Sequence, residues 1–160
     1  MILHVKGSNK ATRKLVEHAT WFYAEKLMGK RLMAGLEITI NLKKNLLSKD
    51  GNEGSAIWED DSYRPKEFII ELDTTVKIRN LLITLAHEMV HVKQWAKDEM
   101  YEYMNIAGLV RFKGEKVHME ITDYWDYPWE IEAYGRQLGL FIRFCENTKR
   151  SKCDAMKETA

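Results

Sequence analysis

The chain has 160 residues, 45% of them apolar and 31% charged, which suits one globular domain with a real core and leaves no room for two of ordinary size. Its 25 Lys and Arg against 24 Asp and Glu give a formal charge of +1, so it has no bulk electrostatic reason to coat nucleic acid or an anionic membrane. No apolar run approaches the roughly 18–20 residues of a membrane span.

The N-terminal stretch MILHVKGSNKATRK lacks the basic, apolar and small-residue order of a secretory signal. Residues 10 to 29 place Leu15, Ala19, Phe22, Tyr23 and Leu27 at spacings of three and four, which predicts a helix with one apolar stripe, stopped at Gly29. Leu36 to Leu42 alternate apolar and polar, the pattern of a half-buried strand. Residues 49 to 54, KDGNEG, have turn chemistry and lead to a short strand from Ser55 to Glu59.

A second, stronger strand runs from Lys66 to Leu72, rich in aromatic and branched residues. Asp73-Thr74-Thr75 then offers side-chain oxygens suited to a helix N-cap, ahead of a helix from Val76 to Trp95 with Leu82, Leu85, Met89 and Val92 on its buried stripe. Residues 108 to 120 suggest a hairpin around Lys113-Gly114-Glu115. Pro128 suits the first turn of a last helix reaching Phe144, where its missing N–H costs nothing.

From Cys145 onward the chain is mostly polar, so residues 1–148 are expected to form one α+β domain and residues 149–160 a tail that frays. Cys145 and Cys153 have no CxxC spacing, which excludes a disulfide scaffold and a thiolate-only zinc site. Two free thiols in a reduced, cytoplasmic compartment are the expectation.

Within the central helix stands His87-Glu88-Met89-Val90-His91, an HExxH sequence. Histidines four apart share one helix face, one turn apart, so both imidazoles reach a single ion, and Zn²⁺ suits that pair. Glu88 can reach a metal-bound water without ligating and take its proton as the water attacks a carbonyl. A catalytic site also needs a third protein ligand. Glu130 and Glu132, in Pro128-Trp129-Glu130-Ile131-Glu132-Ala133-Tyr134-Gly135, both suit zinc but point roughly 200° apart on a helix. Small Ala133 follows the first at three residues, and Gly135 and Gly139 follow the second, so either face could approach the metal helix closely. Spacing leaves the choice open, with His118 as a third possibility.

HEMVH followed by E-x-x-A on a later helix resembles the gluzincin branch of zinc metallopeptidases. Over residues 67 to 140 the closer likeness is to small, phage-type SprT-like metallopeptidase domains, in which HExxH precedes a stretch like YPWEIEAYG. That resemblance implies His87, His91 and Glu130 as zinc ligands, Glu88 as catalytic base, and a minimal zincin-like fold with a small mixed sheet packed on the HExxH helix. It also implies a peptide or protein substrate bound as an added strand against Phe68 to Leu72. The chain departs from better-known SprT-type enzymes in lacking a CxxC zinc ribbon, and its His118 is not followed by glycine, so DNA-linked proteolysis is not implied. Tyr134 stands where some gluzincins place an acidic residue that supports a ligand.

Four residues near Glu130 in sequence are candidates to stabilise an oxyanion: His118, Tyr124, Tyr127 and Tyr134. For Tyr124-Trp125-Asp126-Tyr127-Pro128-Trp129 the expectation is packing of the last helix rather than a substrate groove. His4 and His18 lack partners at ligand spacing, and Lys43, Lys44 and Lys49 read as a solvated strand end. The expected activity is therefore zinc-dependent peptide hydrolysis. A zinc-stabilised binding or assembly module of the same fold, without turnover, is the alternative.

Overall fold

A computed structural model describes residues 1–60 and 62–149 of the chain. Asn9 starts the first long helix by accepting the Thr12 N–H at 2.9 Å through its side-chain oxygen, which satisfies one of the orphan donors of the first turn. This helix, α1, spans Lys10–Met28 between β1 (Ile2–Gly7) and a one-turn helix, α2 (Lys30–Met33). Gly29 separates the two helices with φ 75°, a conformation that glycine adopts without strain.

Next come β2 (Glu37–Lys43), a short helix α3 (Leu46–Asp50), β3 (Gly54–Trp58) and β4 (Glu67–Asp73). The central helix α4 covers Ile78–Ala96, followed by β5 (Met100–Glu102), β6 (Leu109–Phe112) and β7 (Glu115–His118). A 3₁₀ turn at Tyr124–Asp126 leads into α5 (Pro128–Asn147), which has Pro128 in its first turn as expected. The architecture is α+β, with a four-stranded mixed sheet and a three-stranded antiparallel one.

The four-stranded sheet has the order β1-β2-β4-β3, parallel except for β3. Strand alternation sends Ile38, Ile40 and Leu42 of β2 and Phe68, Ile70 and Leu72 of β4 to one buried face, in register as direct neighbours. Against that face lie Val16, Ala19 and Tyr23 of α1 and Leu82, Leu85 and Met89 of α4. Burying each such large aliphatic side chain is worth roughly 1.5–3 kcal/mol, so this layer is the main source of cohesion.

Two sequence-based expectations change here. The Phe68–Leu72 strand is not an edge that could accept a substrate strand: it lies inside the sheet, hydrogen-bonded to β2 on one side and β3 on the other. The sheet's edges are β1 and, on the side of β4 away from β2, β3. Nor does Asp73 cap the central helix, whose N-cap is Lys77 without a side-chain hydrogen bond. The buried Asp73 carboxylate instead accepts from the Leu47 N–H at 2.8 Å, the Asn45 N–H at 3.2 Å, and the Thr75 N–H and hydroxyl at 2.8 and 2.7 Å. It fastens the start of α3 to the end of β4, where only turn structure was expected.

Gly54 opens β3 where the strand crosses α4. A Cβ there would sit 2.6 Å from Thr84 Cγ2 and 3.0 Å from the Glu71 carbonyl oxygen, so only glycine permits this approach. The predicted hairpin forms with Lys113 and Gly114 both at positive φ, 48° and 95°, the twist a two-residue turn needs. The strands β1 and β5 complete the two sheets and were not anticipated. The tail from residue 150, with Cys153, lies outside the described residues.

Candidate metal centre

The second half of α4 is buried on every side: all residues from Leu85 to Ala96 are inaccessible or nearly so. Five of them, His87, Glu88, His91, Lys93 and Gln94, are polar. Buried polar groups are costly unless paired, so the partners of these side chains reveal what the helix is built for.

His87 and His91 face the same way, with their Nε2 atoms 3.1 Å apart. Helix α5 packs across them, with Ala133 fully buried, and brings Glu130 to the same point. Its Oε2 is 3.2 Å from His87 Nε2 and its Oε1 3.4 Å from His91 Nε2. Residue exposures of 8%, 7% and 8% place all three at the floor of a cleft. Two imidazole nitrogens and a carboxylate oxygen in tetrahedral contact with zinc lie about 3.3–3.5 Å from one another. The observed spacings are close to that, and the donor set suits zinc better than magnesium or calcium, which prefer oxygen donors alone. Among the described residues this is the cluster of three that could hold a metal ion.

The far side of each imidazole is held as well. His87 Nδ1 lies 2.9 Å from Gln137 Oε1 and His91 Nδ1 2.9 Å from Gln94 Oε1. An amide oxygen only accepts, so each Nδ1 donates its proton there, which leaves each Nε2 as the atom that would ligate a metal at the shared point. Sequence reasoning noted only that Tyr134 stands in place of an acidic support residue, and missed both glutamines. Their spacing was informative: Gln94 follows His91 by three residues, and Gln137 follows Glu130 by seven, two turns along the same face.

The electrostatics of the cluster favour positive charge. Burial alone would raise the Glu130 carboxyl, but hydrogen bonds with His87 and His91, the His91 charge and the Tyr124 hydroxyl hold it far below the carboxylate range. Burial would lower His91, yet Glu130 and Glu88 outweigh it and raise its affinity for a proton. The site therefore draws positive charge, and a metal ion can supply what the proton supplies otherwise. Glu88, beside His87 and buried, lines the same cleft. Burial pushes its carboxyl up, with the two histidines opposing.

The alternatives for the third ligand lie elsewhere. Glu132 faces away from the histidines, paired with Lys93 at 2.7 Å, Arg136 at 2.9 Å and Lys113 at 3.2 Å. His118 is exposed on β7 and outside the cluster. Of the oxyanion candidates, Tyr124 donates its hydroxyl to Glu130 Oε2 at 2.9 Å. Tyr134 sets its ring edge-on to His87, centroids 4.7 Å apart. Tyr127 is buried, its hydroxyl spent on the Met119 carbonyl. The aromatic run thus divides: Tyr127 and Trp129 stack as expected, with Trp129 also reaching the cleft beside Tyr124, whereas Trp125 is exposed.

The remaining candidates carry no site. His4 lies 3.7 Å from Glu37, His18 packs edge-on to Phe144, and Lys43 pairs with Glu71. Cys145 is buried on α5.

The cleft runs along the free edge of β3. One cavity, of about 320 Å³, is lined by Gly54, Ser55 and Ala56 together with His87, Glu88, His91, Tyr124 and Glu130. A second of about 320 Å³ continues from His87, Glu88 and Gly54 toward Leu47, Asn80 and Gln137. No helix among the described residues is long and apolar enough to cross a membrane. No protein-family model matches the chain, and no similar protein is found among curated proteins or solved structures.

Proposed function

We propose that the protein is a zinc-dependent peptidase of the gluzincin type, with His87, His91 and Glu130 as ligands and Glu88 as general base. The observation that carries this reading is the convergence of two Nε2 atoms and the Glu130 carboxylate within 3.1–3.4 Å on the floor of an open cleft, with Glu88 beside them. Bound zinc would polarise a scissile carbonyl and acidify water. The chain's own groups supply the rest.

Gln137 and Gln94 fix the imidazole tautomers. Glu88 takes a proton from the attacking water and returns it to the leaving amine, a double task favoured by a carboxyl raised through burial. Tyr124, whose phenol is kept neutral by burial and by Tyr134 and Glu130, gives its one hydroxyl proton to Glu130 Oε2 and so orients that carboxylate in the cleft. The edge of β3 offers unpaired backbone groups beside Glu88, so an extended peptide is held there as an added strand.

The binding-module alternative requires a closed, four-ligand site. Glu132 and His118, the residues that would close it, are engaged or placed elsewhere, which favours the open, catalytic arrangement. The test is the Glu88→Gln protein, assayed on a casein or peptide-library substrate. It is expected to keep its zinc and lose about 10²-fold or more in rate. An unchanged rate with zinc retained contradicts the assignment of the base.

A further inference from the structure

Beyond the metal-capable cluster the cleft opens into another cavity, of about 430 Å³, large enough for a ligand side chain. Trp95, Met100 and Glu102 line both this cavity and the one at the cluster, so the two are continuous. Trp58, the last residue of β3, forms one wall, its ring 5.1 Å from that of Trp95. Tyr63 and Tyr101, with centroids 4.8 Å apart, form another. A peptide aligned with β3 at Gly54 to Ala56 reaches Trp58 two residues further on, roughly 7 Å away.

The wall chemistry is aromatic with one carboxylate. Glu102 forms no salt bridge with a lysine or arginine among the described residues, because the nearby ones are engaged elsewhere: Arg64 and Arg111 with Asp98, and Lys93 with Glu99 and Glu132. Burial pushes its carboxyl up, with Trp95 and the His91 charge opposing. A purely apolar occupant would bury that carboxylate further without adding a counter-charge. The rings are suited to a cation, since the Arg111 guanidinium already lies 5.7 Å from the centroids of both Tyr63 and Tyr101 with its charge met by Asp98. Among the described residues no lysine or arginine lies over Trp58 or Trp95, although the His91 ring packs 5.9 Å from that of Trp95.

From this juxtaposition we infer that the cavity between Trp58, Trp95 and Glu102 is a subsite for a basic side chain, arginine or lysine, of a peptide lying along β3. The inference rests on the peptidase reading for the direction of the chain but not for the chemistry of recognition. A guanidinium or ammonium there pairs with Glu102 and stacks on the two indoles.

The test is equilibrium binding to the metal-free full chain, in which no turnover interferes. It uses blocked hexapeptides of alanine and serine that differ at one central position: arginine, its uncharged isostere citrulline, or leucine. Arginine is expected to bind about tenfold tighter than either, and Glu102→Gln to erase that difference. Equal affinities, a preference that survives Glu102→Gln, or no binding of any peptide overturns the subsite. If arginine is preferred but the zinc-loaded protein cleaves nothing, the subsite stands and the peptidase reading falls.

Discussion

His91 Nδ1 lies 2.9 Å from Oε1 of Gln94, one turn further along the same helix. The Gln94 amide nitrogen in turn donates to the Trp129 carbonyl at 3.0 Å, next to Glu130 on the other helix. One side chain thus orients His91 on α4 and holds the start of α5 in place.

Gln137 does the simpler half of that work for His87, so its removal isolates the effect of orientation. Gln137→Leu is expected to weaken zinc binding about 10–100-fold while leaving the fold intact. Competition with a chromogenic chelator measures this, and circular dichroism checks the fold. Unchanged affinity would mean the His87 tautomer needs no support.

Glu132 should behave oppositely. It is the counter-charge of Lys93, 4% exposed, which also contacts Glu99. Glu132→Gln leaves a buried ammonium with one carboxylate fewer, and with Glu99 still present the expected loss is about 1–3 kcal/mol. Urea unfolding measures the loss, and zinc stoichiometry should not change.

Asp73 sets a pH dependence. Burial would raise its carboxyl, but the bonds from Thr75, Leu47 and Asn45 lower it to about 2. The unfolded value is near 4, so the stabilisation is complete above about pH 5 and is lost as pH falls toward 2. The stability gap between wild type and Asp73→Asn, from urea unfolding, should be widest near pH 6 and narrow steadily below pH 4. A gap independent of pH contradicts this role.

What the sequence disclosed was mostly local. The one-turn spacing of His87 and His91, the alternation in β2 and β4 and the proline start of α5 are each set within a few residues. The choice between Glu130 and Glu132 was not, because it depends on which face of α5 meets α4. Small residues pointed both ways, yet a Cβ at Gly135 or Gly139 would meet open space, whereas Ala133 is fully buried at the contact. Lateral strand order was equally hidden: β4 precedes the helix in sequence, but β3 returns antiparallel and takes the edge. Asp73 resembled a cap for the helix that follows it, and its oxygens instead serve a helix 26 residues earlier. Both errors arise from tertiary partners that no local pattern encodes.

The most direct measurement is zinc per chain, by mass spectrometry of the untagged protein after reconstitution and removal of excess metal. Wild type, Glu130→Ala and Glu132→Ala should be compared side by side. A three-ligand site built on His87, His91 and Glu130 predicts about one zinc in wild type and in Glu132→Ala, and clear loss in Glu130→Ala. No zinc in wild type, or full zinc in Glu130→Ala, would contradict it.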